Sequence, residues 1–316
     1  MKHPGQNDAR RPGRPARKRP VGQRTPANSP VIAVRARRRL GQNFLVDLGI
    51  APRIADAAEI AAGDTVLEIG PGTGLLTRHL VARARRVVAV EIDERMKPDL
   101  EALGREHPNL TVIWGDFLKL GWQALGLAEA LAEGPAGGAR SAVRVVANIP
   151  YYITTPILLD LLQARQLEAR PLAEVAPRAE AIVLMVQKEV AERMIAVPGT
   201  KAYGSLSVLV QYAAEVEIAF GVSRTAFVPR PEVDSAVVRL KPRRSPPVPV
   251  ASPATFFRVV RGAFGQRRKI LMNALLAAAF DKRALELAFD AAGIDPGRRG
   301  ETLDLSEIAR LADALV

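Results

Sequence analysis

The spacing of apolar and polar residues predicts the elements of this chain. Short apolar runs such as DTVLEIG (64–70) and RVVAVEID (86–93) have the length of buried strands, and runs of helical period such as GLLTRHLVARA (74–84) separate them. Further strands are predicted in LTVIWGD, VRVVANI and AEAIVLMVQ, and further helices in ERMKPDLEALGRE and TPILLDLLQA. Strands that alternate with helices are typical of an α/β fold with a mostly parallel sheet.

A helix is also predicted before the first of these strands, in LGIAPRIADAAEIA (48–61). Asp47 is its expected N-cap, and Pro52 falls in the first turn, where a missing N–H is tolerated. Ile50 and Ile54 would lie on its buried face.

Composition divides the chain into three predicted parts. Residues 1–33 are rich in Pro, Arg and Gly and have no apolar periodicity, so we expect a disordered basic tail. The proline-rich stretch 241–253 indicates a second boundary, after which three runs have helical period. We therefore predict an α/β domain over 34–244 and a small all-helical C-terminal domain over 245–316. Residues 126–142 look like a surface insertion.

The residue counts exclude several classes of protein. The chain has no cysteine, which excludes disulfides, thiolate-bound metals and a cysteine nucleophile, and its three histidines are scattered. We predict no metal site. No apolar run approaches the ~18 residues that favour a membrane span, and the start lacks the apolar segment of a signal peptide. We therefore expect a soluble cytoplasmic protein with no membrane partner.

The net charge of +12 is unevenly distributed. Residues 1–39 carry +11, residues 40–180 are mildly acidic, and residues 181–316 are again basic. Basic arms of this kind are typical of proteins that bind the phosphates of nucleic acids. Charge alone leaves open whether the tail binds RNA or only aids solubility.

The sequence LEIGPGTG carries the first candidate binding site. A glycine-rich turn between a strand and a helix lets a ligand approach the backbone. Its spacing is G-x-G-x-G, and Leu75 stands where a dinucleotide fingerprint requires glycine, which disfavours a nicotinamide oxidoreductase. Glu91 and Asp116 end the next two strands, where they could hold a ribose and an adenine or simply cap helices. The candidate ligand-binding residues are Gly70, Gly72, Glu91 and Asp116.

The sequence VVANIPYYITTP (145–156) places an amide and an aromatic ring at the end of the fourth strand. The Asn148 side chain and the Ile149 carbonyl could accept both N–H bonds of an exocyclic base amine, which would aim its lone pair at an electrophilic methyl group. Pro150 fixes the turn, and Tyr151 could stack on the base. An ordinary turn with core tyrosines is the alternative.

Together these motifs resemble a known family. EIGPGTG followed by NIPY is similar to class I, Rossmann-like methyltransferases that use S-adenosylmethionine to modify exocyclic amines. More narrowly, LGQNFLVD, NIPYYITTP, AFVPRPEVDSAVVRL and FFRVVRGAFGQRRKILMNAL resemble the ribosomal RNA adenine dimethyltransferase family, in particular its small-subunit branch. The resemblance runs from about Arg37 to the C-terminus.

The resemblance implies S-adenosylmethionine as the cofactor. It implies that the cofactor is held by Asn43, Leu45, Gly70, Gly72, Glu91, Asp116 and Asn148. It also implies a catalytic group of Asn148, Pro150 and Tyr151, with Phe227 as a second aromatic wall that faces Tyr151 across the base.

The implied substrate is 16S ribosomal RNA in the 30S subunit. Two adjacent adenosines of its 3′-terminal hairpin loop would each receive two methyl groups on N6 during ribosome biogenesis. The helical C-terminal domain would bind RNA, and we expect a monomer. Two alternatives remain, namely a large-subunit (23S) dimethyltransferase of the antibiotic-resistance branch and a ribosome assembly factor without catalytic activity.

Overall fold

The computed structural model describes residues 1, 36–37, 40–127, 142–172 and 179–316. The predicted tail, apart from Met1, and most of the predicted insertion lie outside the described residues. The strands are β1 (Phe44–Leu45), β2 (Thr65–Ile69), β3 (Arg86–Glu91), β4 (Leu110–Trp114), β5 (Val143–Asn148), β6 (Ala181–Gln187), β7 (Ala214–Val222), β8 (Phe227–Val228) and β9 (Ser235–Pro242).

Twelve helices accompany these strands within the described ranges. They are α1 (Ile50–Ala57), α2 (Leu75–Val81), α3 (Lys97–Glu106), α4 (Phe117–Leu120), α5 (Thr154–Leu161), α6 (Ala164–Ala169), α7 (Lys188–Met194), α8 (Ser205–Ala213), α9 (Pro253–Gly265), α10 (Leu271–Ala277), α11 (Lys282–Ala292) and α12 (Leu305–Asp313).

Seven strands form one sheet in the order β4-β3-β2-β5-β6-β9-β7. The first five are parallel to one another, while β9 pairs antiparallel with both β6 and β7. The chain leaves β2 toward β3 and later returns to β5 on its other side, so the strand order reverses between β2 and β5. Open α/β sheets bind ligands at this point. The predicted mostly parallel α/β fold is confirmed.

The central strands are apolar on both faces because helices cover both faces. On one face, Val66, Val87 and Val146 share a core with α1 and α2. On the other, Leu67 and Val145 belong to a core that includes α5 and extends into the C-terminal helices. The central strands therefore read as mostly apolar runs, with the buried acid Glu68 inside β2 as an exception.

The C-terminal helices pack on the α/β part through aromatic side chains. The ring of Tyr212 on α8 lies 5.0 Å from that of Phe256 and 5.5 Å from that of Phe257, both on α9. The rings of Tyr203 and Phe264 are 5.7 Å apart. The apolar core is thus continuous across the proline-rich stretch, and the division into two domains remains a prediction.

The structure corrects the start of the first helix. That helix begins at Ile50 with Gly49 as its N-cap, so Asp47 is not the cap. Asp47 Oδ1 instead accepts a hydrogen bond from the backbone N–H of Gly49 at 2.9 Å, which closes a turn ahead of the helix. The antiparallel strands β7 and β9 and the short pair β1 and β8 were not predicted. β1 and β8 have two residues each and are far apart in sequence, so no local pattern signals that pair.

Candidate active site

An open cleft lies at the carboxyl ends of β2, β3, β4 and β5. Residues 40–46, which we call the strap, contribute to its wall, and the rest comes from the loops that follow the strands. Nine of the ten predicted site residues line this cleft, namely Asn43, Leu45, Gly70, Gly72, Glu91, Asp116, Asn148, Pro150 and Tyr151. Phe227 is the exception.

The glycine loop turns from β2 into α2 by left-handed backbone conformations. The φ angles are +74° at Gly70, +55° at Gly72 and +80° at Gly74, a region that favours glycine over residues with a Cβ. Gly74 is the N-cap of α2. A side chain at Gly72 would also come within 3.4 Å of the Phe44 ring. The backbone conformation of the loop therefore favours glycine, and the strap lies directly beside Gly72.

Glu91 ends β3 with its carboxylate turned toward the glycine loop. Oε2 accepts the backbone N–H of Gly72 at 3.0 Å, and Oε1 accepts that of Asp93 at 2.7 Å. The residue is 5% exposed, and burial raises its pKa in spite of these hydrogen bonds. Each oxygen retains a lone pair that could accept a ribose hydroxyl.

Glu68 is a polar group in the cleft that the sequence analysis missed. It lies inside the apolar strand β2, is 1% exposed, and lines the cleft. Burial raises its pKa to about 8, and the charge of Glu91 adds to the shift. The Thr77 hydroxyl opposes the shift in part, yet Oε2 has no hydrogen-bond partner in the described part of the chain. An acid in the middle of an apolar run was the available signal.

Asp116 follows β4 and lines the cleft, but it also caps a helix. Its side chain accepts the backbone N–H of Leu118 at the start of α4, with Oδ1 at 3.1 Å. Lys119 lies 3.6 Å from Oδ2. The capping role is confirmed, and the ligand-binding role stays a prediction, which the cap leaves possible because a carboxylate that caps a helix keeps further lone pairs.

Asn148 is the last residue of β5 and lies beside Met185 of β6. It is partly exposed, and its side-chain amide makes no hydrogen bond with any described residue. Ile149 behind it is buried, and Pro150 leads into a 3-10 turn over Tyr151–Ile153. The amide is thus held at the end of a central strand, and no residue in the described part of the chain occupies its hydrogen-bonding groups.

Tyr151 and Phe227 do not form an open pair of walls in this structure. The Tyr151 hydroxyl lies 2.6 Å from Ser235 Oγ on β9, which fixes the direction of the ring. Phe227 is 2% exposed and pairs with Leu45 in the β1–β8 sheet. It belongs to the core beneath the strap and does not line the cleft, so the expected wall would need Phe227 to move.

A polar network, also missed from the sequence, joins the strap to the loop after β3. Gln42 and Arg95 both hydrogen-bond the buried carboxylate of Asp93, which is 1% exposed. Asp93 in turn donates its backbone N–H to Glu91. No local pattern signals a contact between residues 51 positions apart.

Metal sites and membrane spans are both missing from the described ranges. Residues 40–127, 142–172 and 179–316 contain no group of three or more His, Cys, Asp or Glu residues that could hold a metal ion. In the same part of the chain, no helix has the length and apolar character needed to cross a membrane.

The chain is similar in sequence to proteins of known name. The chain is 48% identical over 284 residues to ribosomal RNA small subunit methyltransferase A of Geobacillus thermodenitrificans (strain NG80-2), which covers 89% of this chain and 91% of that protein. It is also 48% identical over 279 residues to the protein of the same name from Moorella thermoacetica (strain ATCC 39073 / JCM 9320), covering 88% and 92%.

Solved structures show the same fold. A dimethyladenosine transferase from Plasmodium falciparum superposes with a TM-score of 0.66 at 28% identity, covering 85% of this chain and 95% of that one. The 23S rRNA methyltransferase ErmE superposes with a TM-score of 0.60 at 32% identity, covering 86% and 99%. The family described as ribosomal RNA adenine dimethylase matches residues 33–315, and the chain belongs to that family.

Proposed function

We propose that this protein uses S-adenosylmethionine to dimethylate N6 of two adjacent adenosines in the 3′-terminal hairpin loop of 16S ribosomal RNA. The observation that carries the proposal is the position of Asn148. Its side-chain amide, which makes no hydrogen bond with any described residue, lies at the end of β5, between the glycine loop with Glu91 and the Tyr151 ring. An adenine amine that reaches this point meets a hydrogen-bond acceptor and an aromatic ring together.

The residues of the cleft suit the proposed cofactor. Three left-handed glycines leave the backbone of the loop open to a ligand, and Glu91 offers two acceptor oxygens. Glu68 Oε2 has no hydrogen-bond partner among the described residues. The nucleoside and the amino-acid end of S-adenosylmethionine would also be held by Asn43, Leu45 and Asp116. When bound, S-adenosylmethionine supplies an electrophilic methyl group on a sulfonium sulfur.

The proposed chemistry of the protein is orientation of a weak nucleophile. The lone pair of an adenine amine is delocalised into the ring, so the amine reacts only when it is held out of that conjugation. Asn148 Oδ1 and the Ile149 carbonyl would each accept one N–H, which directs the lone pair toward the cofactor. Pro150 sets the turn that joins these groups, and Tyr151 would stack on the base.

Small-subunit RNA is favoured over large-subunit RNA by the comparisons. The relatives at 48% identity are named for the small subunit, whereas the 23S enzyme ErmE shares 32%. We assign RNA binding to the helical region 245–316. In support, the turn between α9 and α10 exposes Arg268 and Lys269, and cations in such a turn can contact phosphates.

The proposal also covers the oligomeric state of the protein, the compartment in which it acts and the particle on which it acts. The protein would act as a monomer in the cytoplasm on 30S subunits that are being assembled. A large-subunit enzyme and an assembly factor without catalysis are the competing functions. Each predicts a different pattern of methyl transfer.

The test is transfer of labelled methyl groups from S-adenosylmethionine to 30S subunits that lack the modification, with 50S subunits as the control. We expect N6,N6-dimethyladenosine at two adjacent positions in 16S RNA and no label in 50S subunits. Asn148→Ala should lower the rate by about 10² or more, as for loss of one well-placed polar group. Label only in 50S subunits, or 30S binding without transfer, would contradict the proposal.

A further inference from the structure

Tyr152 is an exposed aromatic residue at the mouth of the cleft. It follows Tyr151 in the same 3-10 turn and lines the same cleft, yet 59% of it is exposed. Its hydroxyl makes no hydrogen bond with any described residue. A large ring left in solvent beside a binding cleft offers apolar area that a ligand can cover.

The position of the ring is fixed by the strap. A Cβ built on Gly41 would lie 2.8 Å from Tyr152 Cδ1 and 3.1 Å from Cε1, so the ring occupies the space of the missing side chain. Pro150 Cβ lies 3.7 Å from the same point. Gly41 also has a φ of +55°, which favours glycine. One side of the Tyr152 ring is thus held against the strap, while its remaining surface faces outward.

The Tyr151 and Tyr152 rings are held by different parts of the fold. Tyr151 reaches β9, where its hydroxyl meets Ser235, and Tyr152 rests on the strap at Gly41. The two rings are neighbours in sequence but have separate supports. They can therefore contact two different bases of one strand.

We propose that Tyr152 forms a second nucleobase subsite, a stacking platform for the nucleotide next to the adenosine held at Tyr151. The inference rests on the proposed function, in which two adjacent adenosines are modified. While one adenine is at Asn148, its neighbour must lie just outside the cleft, where the exposed ring is found. Aromatic stacking is tolerant of base identity, so the subsite can take the neighbouring base whichever of the two adenosines reacts.

Local charge favours an RNA strand as the occupant. The strap is preceded directly by Arg37, Arg38 and Arg39, and Arg37 keeps 40% of its side chain exposed although it lies 3.7 Å from Asp93. Basic residues next to the strap in the sequence, together with an exposed ring, are typical of proteins that bind single-stranded nucleic acid through phosphates and stacked bases.

The experiment compares the full-length chain with Tyr152→Ala, Tyr152→Phe and the surface control Val197→Ala. Val197 is 60% exposed and lies outside both the cleft and the region 245–316. The measurements are the KM for 30S subunits that lack the modification, kcat, and the Kd for S-adenosylmethionine by calorimetry. Loss of one stacked base should raise the KM of Tyr152→Ala about 5- to 150-fold. Its kcat and cofactor Kd should stay near the values of the unmodified chain, and Tyr152→Phe should restore the low KM.

The following results would contradict the proposed subsite at Tyr152. A Tyr152→Ala variant with an unchanged KM would show that no base stacks there, while methylation by the unmodified chain would leave the proposed function standing. A raised cofactor Kd with an unchanged KM would assign the ring to the cofactor. A rise in KM for Tyr152→Phe as large as for alanine would show that the hydroxyl matters and stacking does not. Failure of the unmodified chain to methylate would contradict the proposed function itself.

Discussion

The side-chain amide of Gln42 donates a hydrogen bond to Asp93 Oδ2 over 2.8 Å and fastens the strap to the loop after β3. Arg95 Nε contacts both oxygens of Asp93, at 2.9 and 3.1 Å, and Arg95 Nη2 reaches Gln42 Oε1 at 3.2 Å. These contacts, led by that of Arg95, lower the pKa of Asp93 to about 2. The network therefore stays charged at physiological pH and holds Asn43 and Leu45 against the cleft.

The first prediction concerns this network. Gln42→Ala removes a hydrogen bond to a charged partner, a loss worth about 1.5–3 kcal/mol, so we expect the Kd for S-adenosylmethionine to rise about 10- to 100-fold. The strap should loosen, whereas the rate at saturating cofactor should change much less. Calorimetric titration measures the Kd, and Gln123→Ala, at an exposed position, is the matched control. An unchanged Kd would mean that the strap does not depend on Gln42.

The second prediction concerns the ring of Tyr151. If it stacks on the target adenine, Tyr151→Ala should cost roughly 1–3 kcal/mol of base binding with little change in cofactor affinity. Tyr151→Phe keeps the ring and loses only the contact with Ser235, so its effect should be milder. Methylation rates and cofactor titrations of both variants give the answer. Stacking is the wrong role if phenylalanine is as harmful as alanine.

The third prediction follows from the burial of Phe227. Since this side chain is in the core, Phe227→Ala should lower the free energy of unfolding by about 3–5 kcal/mol, whatever its role in catalysis. Phe227→Leu keeps most of the apolar volume but removes the aromatic face. If Phe227 moves to face Tyr151 when RNA binds, the leucine variant should stay folded in urea titrations yet bind 30S subunits less tightly. Normal methylation by Phe227→Leu would exclude the second wall.

The fourth prediction concerns pH and Glu68. The pKa of this carboxyl is about 8 in the folded protein and 4.5 when exposed, so the folded state binds the extra proton between these values. Stability contributed by the protonated group is thus fully present below pH 4.5 and is lost as the pH rises toward 8. Glutamine does not ionise, so Glu68→Gln should not lose stability in this way as the pH rises.

Urea unfolding of both proteins between about pH 4.5 and 9 is the measurement for Glu68. The free energy of unfolding of Glu68→Gln minus that of the unmodified chain should increase with pH by up to a few kcal/mol and level off above about pH 8. A difference that does not vary with pH would show that Glu68 ionises normally. Cofactor binding should be measured on the same variant, because Glu68 lines the cleft.

The fifth prediction concerns the basic tail. Residues 1–33 contain eight Lys and Arg residues and one acid, so phosphate contacts are the expected means of any contribution. Each phosphate contact on a single strand releases counterions and adds about 0.7 to the slope of log affinity against log salt concentration. Eight contacts by the tail could therefore add at most about 6 to this slope. Incomplete engagement should reduce this to about 2 or 3.

Deletion of residues 1–33 should therefore weaken 30S binding and flatten its salt dependence, with cofactor affinity unchanged. The matched control keeps the tail and replaces its eight cations with glutamine. An equal salt slope for truncated and full-length protein would show that the tail takes no part, and that the basic region over 181–316 supplies the electrostatic attraction.

The sequence by itself determined the features that depend on neighbouring residues. Strand length, helical period and the G-x-G-x-G spacing are local, and parallel strands bring their carboxyl ends to one edge. For this reason the local pattern alone assigns Gly70, Glu91, Asp116 and Asn148 to one cleft, since each of them follows or ends a strand.

The tertiary structure decided the contacts that join distant parts of the chain. Gln42 and Asp93 are 51 positions apart and Tyr151 and Ser235 are 84 apart, so no local period signals either pair. Likewise, the motif AFVPRPEVDSAVVRL implies that Phe227 is an aromatic wall of the site. The motif cannot show that this side chain is buried by pairing with Leu45. Local periodicity reports which side of an element is apolar, whereas burial and hydrogen-bond partners depend on which other element covers that side.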